Sequence, residues 1–100
     1  MASYDKTIKI LVVGPIVKLK KNMRRDEVEA YFREKASSER NQKRKIAYEK
    51  AAMVLELIGA HRGKLVSILH ETNHILTIKC AFDSETQRDL FDKAISAEIS

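Results

Sequence analysis

Two groups of residues have the types and spacing that chemistry or binding would need. The first is His70-Glu71-Thr72-Asn73-His74, which matches the His-Glu-x-x-His pattern of zinc peptidases. In that chemistry two histidines four apart on a helix ligate zinc, and the glutamate between them acts as general base. The pattern works only on a helix. Here Val66, Ile68, Ile75, Thr77 and Ile78 surround it with β-branched side chains, so the segment reads as strand, turn, strand, with a histidine on either side of the turn. A helical alternative exists, since Leu65, Ile68, Leu69, Thr72, Ile75 and Leu76 also fit helical spacing. That helix would have to run into Thr77-Ile78-Lys79-Cys80 without a stop signal. A third ligand would have to come from Cys80, Asp83 or Glu85. The expectation is no metal, no cofactor and no catalysis: a binding protein, not an enzyme.

The second group is basic. Lys18, Lys20, Lys21, Arg24 and Arg25 form one cluster, Arg40, Lys43, Arg44 and Lys45 a second, and Arg62 and Lys64 a smaller third. Phosphates are neutralised by several lysines and arginines acting together, so the first two clusters are the expected nucleic-acid-binding residues. No residue suggests itself as a reader of base edges, which implies weak sequence specificity. The competing reading is a set of solvated charges, some paired with Glu27, Glu34, Glu39 or Glu49. Bases are commonly stacked on aromatic side chains. Tyr31, Phe32, Phe82 and Phe91 read as core, leaving Tyr4 and Tyr48. Duplex DNA, or phosphate contact without base reading, therefore fits better than single-strand stacking. All of this requires the clusters at 18–25 and 40–45 to converge on one patch.

Other motifs carry less. Ile10-Leu11-Val12-Val13-Gly14-Pro15 looks like a strand entering a phosphate loop, but the further glycines and the Gly-Lys-Ser/Thr ending are missing, and proline removes a donor. Cys80 reads as a small buried residue with no base nearby. His61 lies just past a helix end, where partial positive charge is welcome.

The elements that must hold these residues follow from periodicity. Residues 7–13 read as a strand; Val17 and Leu19 alternate with Lys18 and Lys20 as a second short strand or a bent continuation. Residues 25–36 read as a helix with Val28, Tyr31, Phe32 and Ala36 on one face, Asp26 and Glu27 in its first turn, and Ser37-Ser38 as break and next N-cap. Residues 39–58 read as the longest helix. It is apolar round most of its circumference, so it must be covered on more than one side or form a subunit interface; Gly59 or Gly63 would end it. Residues 64–70 and 74–82 read as a hairpin of ambiguous register. A two-residue turn would put Leu65, Leu69, Leu76 and Ile78 on one face; a three-residue turn would gather Val66, Ile68, Leu76 and Ile78. Ser84 caps a last helix, with Gln87 completing a capping box and Leu90, Phe91, Ala94 and Ile95 as its buried stripe.

The expected fold is α+β: a small sheet of about three strands in β-α-α-β-β-α order, with helices packed on one face. In element order this resembles the type I KH arrangement of RNA-binding domains. That family clamps the RNA backbone with a Gly-x-x-Gly loop between its first two helices. The loop here is Lys35-Ala36-Ser37-Ser38-Glu39, without glycine, so the resemblance is confined to element order.

Composition sets the outer limits. The 100 residues fit one domain, and 44% apolar with 33% charged residues is a folded balance. The net charge of +5 and pI near 9.4 raise the case for an anionic partner, DNA or RNA first. A protein-interaction module, such as an inhibitor, adaptor or assembly subunit, is the alternative; a homodimer would also cover excess apolar surface. The single cysteine excludes an internal disulfide and paired-cysteine zinc sites and suits a reducing, cytoplasmic setting. Residues 8–17 are too short an apolar run, broken by Gly14-Pro15, to span a bilayer, so no membrane role is expected.

Overall fold

Alternation along the first strand decides which side of the sheet is covered. Strand β1 (Tyr4–Leu11) buries Ile8 and Ile10 while Thr7, Lys9 and Leu11 stay exposed, as expected of a strand with one wet face. The computed structural model describes residues 4–19 and 22–99; Lys20 and Lys21 lie outside the described residues. The elements continue with α1 (Arg25–Ser38), α2 (Gln42–Ala60), β2 (Lys64–His70), β3 (Ile75–Phe82) and α3 (Glu85–Ile99). This is the α+β fold in the order read from the sequence. The sheet is antiparallel with spatial order β1-β3-β2, so β1 and β2 are its edges. Its covered face carries Ile8, Ile10, Leu76, Ile78, Cys80 and Phe82, which join Phe32, Val54, Leu55, Ile58 and Phe91 in one continuous core. Residues 12–19 are neither strand nor helix, so Val17 and Leu19 belong to an irregular segment and not to a second strand.

Helix α1 buries Val28, Phe32 and Ala36. It runs two residues further than its apolar stripe because the Ser38 hydroxyl donates back to the carbonyls of Glu34 (3.2 Å) and Lys35 (3.3 Å). A serine bonded backward closes its own helix and is not free to cap the next. The N-cap of α2 is therefore Asn41, whose Oδ1 accepts the Arg44 N–H at 3.1 Å. This moves the start of α2 from the expected 39 to Gln42 and leaves Arg40 off the helix. As expected, α2 is the central element: Tyr48 meets Phe32 of α1, with ring centroids 6.1 Å apart, and Ala51, Val54 and Ile58 are fully buried in the common core. Neither glycine stops it directly. The chain leaves through Arg62 at φ +59, with Gly63 N–H on Ile58 O (2.7 Å) and Arg62 N–H on Gly59 O (3.1 Å), a Schellman closure with arginine in the left-handed position.

Next to its turn the hairpin takes the three-residue register, with Ile68, Leu76 and Ile78 on one face, and departs from it beyond Ser67. Ile68 pairs with Ile78 and His70 with Leu76, and the register shifts between Leu65 and Ser67. This bulge leaves Val66 unpaired and 54% exposed, while Leu65, opposite Cys80, packs against the core beside Ile68. His74, not Asn73, takes positive φ (+67); Asn73 uses its side chain instead, accepting the Ile75 N–H at 3.1 Å. At α3 the Ser84 hydroxyl accepts the Gln87 N–H at 3.2 Å, as the capping motif predicts; Phe91 and Ile95 are buried but Leu90 is half exposed.

Candidate functional site

The His-Glu-x-x-His segment lies across the hairpin, with His70 ending β2 and His74 just before β3. His70 is buried and both its ring nitrogens are engaged: Nδ1 accepts the Val17 N–H at 2.9 Å, and Nε2 lies 2.9 Å from the Val12 carbonyl. That pairing selects the Nε2–H tautomer, which donates to Val12. The ring ties the irregular segment to the edge of the sheet and has no lone pair left for a metal. Among the described residues, no group of three or more His, Cys, Asp or Glu side chains is placed to hold an ion.

Several residues of the two basic clusters are engaged within the fold. Arg25 donates to Glu29 and to the Leu55 carbonyl, both at 2.7 Å, and its guanidinium fills the space beside Gly59, where a Cβ would stand 2.5 Å from Cζ. Arg44 donates to the Val13 carbonyl at 2.9 Å and to Glu39 at 3.2 Å. It lies against Gly14, which adopts φ +152. Both arginines lock one element onto another. They engage α2 near its opposite ends: Arg44 and Leu55 are separated by roughly 16 Å of axis, at about 1.5 Å per residue. Arg24 is exposed but paired with Glu27 at 3.0 Å and Asp26 at 3.8 Å, and Glu27 also accepts its backbone N–H. Lys18 lines a recess beside β2. Lys45 lines another between α1 and α2, in company with Glu49 and Glu56. Arg40 is exposed in the loop before α2. Arg25 and Arg44, one from each cluster, are thus committed to contacts within the fold near opposite ends of α2, and Glu27 and Glu39 serve the pairing role read for them from sequence.

What the fold does bring together is a set of lysines remote in sequence. Lys9, Lys43 and Lys50 surround a recess of about 230 Å³ between the free edge of β1 and α2, with Leu11 and Ile46 beside them. Among the described residues none of those lining it is acidic. Lys43 and Lys50 are seven apart, on one helix face. The line continues over the open face of the sheet. Lys9 is opposite Thr77, Lys79 opposite both Thr7 and Ser67, and Lys64 opposite Ala81. Lys9, Lys79 and Lys64 therefore step diagonally across the three strands, at roughly 7–8 Å per step. All three are exposed and, among the described residues, none makes an ion pair. Asp5, at the start of β1, is the acidic strand residue on that face. Lys9, Lys50 and Lys79 stand outside every basic run in the sequence. The signal that could have found them is the outward alternation of the strands combined with the seven-residue spacing on α2.

The two tyrosines read as free for stacking are occupied. Tyr48 is buried against Phe32, and Lys35 Nζ sits 5.5 Å from its ring centroid. Tyr4 lies under the Arg88 guanidinium at 5.6 Å. Cys80 is fully buried, and burial, then the charge of Asp5, pushes its thiol up to about 11. Glu39 is held below the ordinary carboxylate value, first by the Asn41 N–H and then by the Arg44 guanidinium.

Comparison with protein-family models, with curated proteins and with solved structures finds no match to this chain.

Proposed function

We propose that this chain binds nucleic acid through the phosphate backbone, with low sequence specificity, as a binder and not a catalyst. The observation that carries the reading is the gathering of Lys9, Lys43 and Lys50 around one recess that no lining carboxylate neutralises. Lys79 and Lys64 extend it as a diagonal over the open sheet face. Lysine is a point charge without the planar fork that reads guanine, and Tyr4 and Tyr48 are spent elsewhere. Both features favour contact with phosphates over recognition of bases. Arg24, Arg25 and Arg44 drop out of the proposed interface because carboxylates or carbonyls already hold them. Arg40 and Lys43, both exposed, remain available at the N-terminal end of α2.

One buried cysteine accords with a reducing compartment, and the proposal puts the protein in the cytoplasm. No helix among the described residues is long and apolar enough to cross a membrane. The test is titration of duplex DNA and of duplex RNA against the protein at two salt concentrations, followed by anisotropy. Binding that weakens with salt, and weakens further when Lys9, Lys43 and Lys50 become alanine, is the expected result. Salt-insensitive or undetectable binding would remove the reading.

A further inference from the structure

The second edge of the sheet presents a different surface. Among the described residues β2 pairs only with β3. Among the described residues its outer side makes no backbone hydrogen bond, so the donors and acceptors of a strand edge stand unpaired. Along that edge runs a groove of about 940 Å³. Its walls are residues 65–70 on one side and the 16–19 segment on the other, and it reaches down to the core residues Val28 and Leu76. The six consecutive β2 residues show that the strand's edge, and not one of its faces, forms the wall. Ile16, Val66 and Leu69 are exposed at the rim at 37%, 54% and 58%. Among the described residues the lining holds one charged side chain, Lys18, and no carboxylate, and Lys64 stands where β2 begins.

We infer that this groove is a docking site for an extended polypeptide segment with alternating acidic and apolar residues, which adds to β2 as a further strand. A strand edge is recognised by another backbone, and the apolar rim supplies seats for alternate side chains. The sign of the partner follows from the lysines and the absence of lining acids. A second copy of this chain fits poorly. Two-fold pairing about Ser67 would set Leu65 against Leu69, yet the bulge puts Leu65 on the core side, whereas Leu69, opposite Thr77, points to the open face. It would also join two chains that each carry +5. His70 fixes the far wall by holding Val12 and Val17, so the groove does not depend on the lysine line of the opposite edge.

The experiment uses the full chain labelled for amide NMR and three short capped peptides: alternating glutamate and valine, alternating lysine and valine, and the glutamate peptide with alternate amides N-methylated. The glutamate peptide should shift and slow the exchange of the outward-facing amides of Ile68 and His70. The lysine peptide and the N-methylated peptide should each bind about tenfold more weakly or worse, since one reverses the charge and the other removes the strand donors. Lys18→Glu, an exposed change, should reverse the preference between the two charged peptides. The inference is overturned if no peptide moves those amides, if the N-methylated peptide binds as well as its parent, or if charge makes no difference. It is equally overturned if raising the protein concentration alone produces the same shifts, which would identify the occupant as a second copy.

Discussion

His70 accepts the backbone N–H of Val17 on Nδ1 at 2.9 Å, fifty-three residues away in sequence, and with its other nitrogen it holds the Val12 carbonyl. One side chain thus satisfies two backbone groups of a segment that has no ladder of its own. A zinc-peptidase motif at the level of sequence is, in the folded chain, a clasp.

Removing the clasp has a defined cost. His70→Ala leaves a buried donor and acceptor unpaired and opens a cavity at a site only 4% exposed, so it should lower unfolding free energy by roughly 2–4 kcal/mol. Zinc content of the purified, untagged protein should be negligible before and after the change. Urea unfolding and metal analysis check the two halves.

The arginine–glycine contacts predict a separation of stability from binding. Gly59→Ala sets a methyl group against the Arg25 guanidinium and should cost roughly 1–3 kcal/mol. Arg25→Ala, which removes the bonds to Glu29 and the Leu55 carbonyl, should cost a similar roughly 1–3 kcal/mol. At protein concentrations and temperatures where the variants remain folded, neither should alter affinity for nucleic acid by more than about twofold, because the guanidinium is already engaged. Thermal melts beside anisotropy titrations distinguish this from a phosphate-binding role.

Cys80 should be inert in the folded protein. With its thiol pushed up to about 11, chiefly by burial, only about one part in a thousand is thiolate at pH 8, and access is blocked as well. Alkylation should follow unfolding and not precede it. The sign of the linkage is also fixed. The folded state keeps a proton that the unfolded thiol releases above about 9, so stability is intact below that pH and falls as pH rises towards about 11. Cys80→Ala should flatten that alkaline decline, as read by Tm against pH.

Glu39 makes the opposite prediction at acid pH. Its carboxyl is lowered, first by the Asn41 N–H and then by Arg44, so the folded state favours the ionised form. Its contribution is present above the ordinary carboxylate range, near 4.3, and is lost as pH falls through the lowered folded value. Glu39→Gln should lie below the parent in Tm at neutral pH, and the two curves should converge towards pH 3. Parallel curves would mean that Glu39 contributes no charge-dependent stabilisation.

The fold was legible where local rules act alone. The apolar run read as a strand at 7–13 marked β1, which spans Tyr4–Leu11, the i, i+4 spacing of Val28 and Phe32 gave α1, and Ser84 with Gln87 marked the start of α3. It was not legible where distant partners decide. Ser37-Ser38 carried a capping signal, but Ser38 turned back on Glu34 and Lys35 and Asn41 took the cap. The hairpin register hinged on a bulge at Val66 that alternation cannot encode. For the site the lesson is sharper. Charges adjacent in sequence, such as Arg24 and Arg25, went to local carboxylates. Lys9 and Lys50, neither of which looks special in its neighbourhood, met Lys43 of the second cluster because β1 lies along α2.

The central claim is that this lysine line, which keeps Lys43 of the sequence clusters but not Arg25 or Arg44, contacts phosphate. The direct measurement is the slope of log affinity for duplex DNA against log salt concentration in the parent, in Lys9→Ala/Lys43→Ala/Lys50→Ala, and in Arg25→Ala/Arg44→Ala, each verified as folded. Abolishing one phosphate contact should reduce the slope by about 0.9. The expected result is a drop of about two to three in the lysine variant and almost none in the arginine variant. A lysine variant with the parent's slope, or an arginine variant whose slope falls as far, would contradict it.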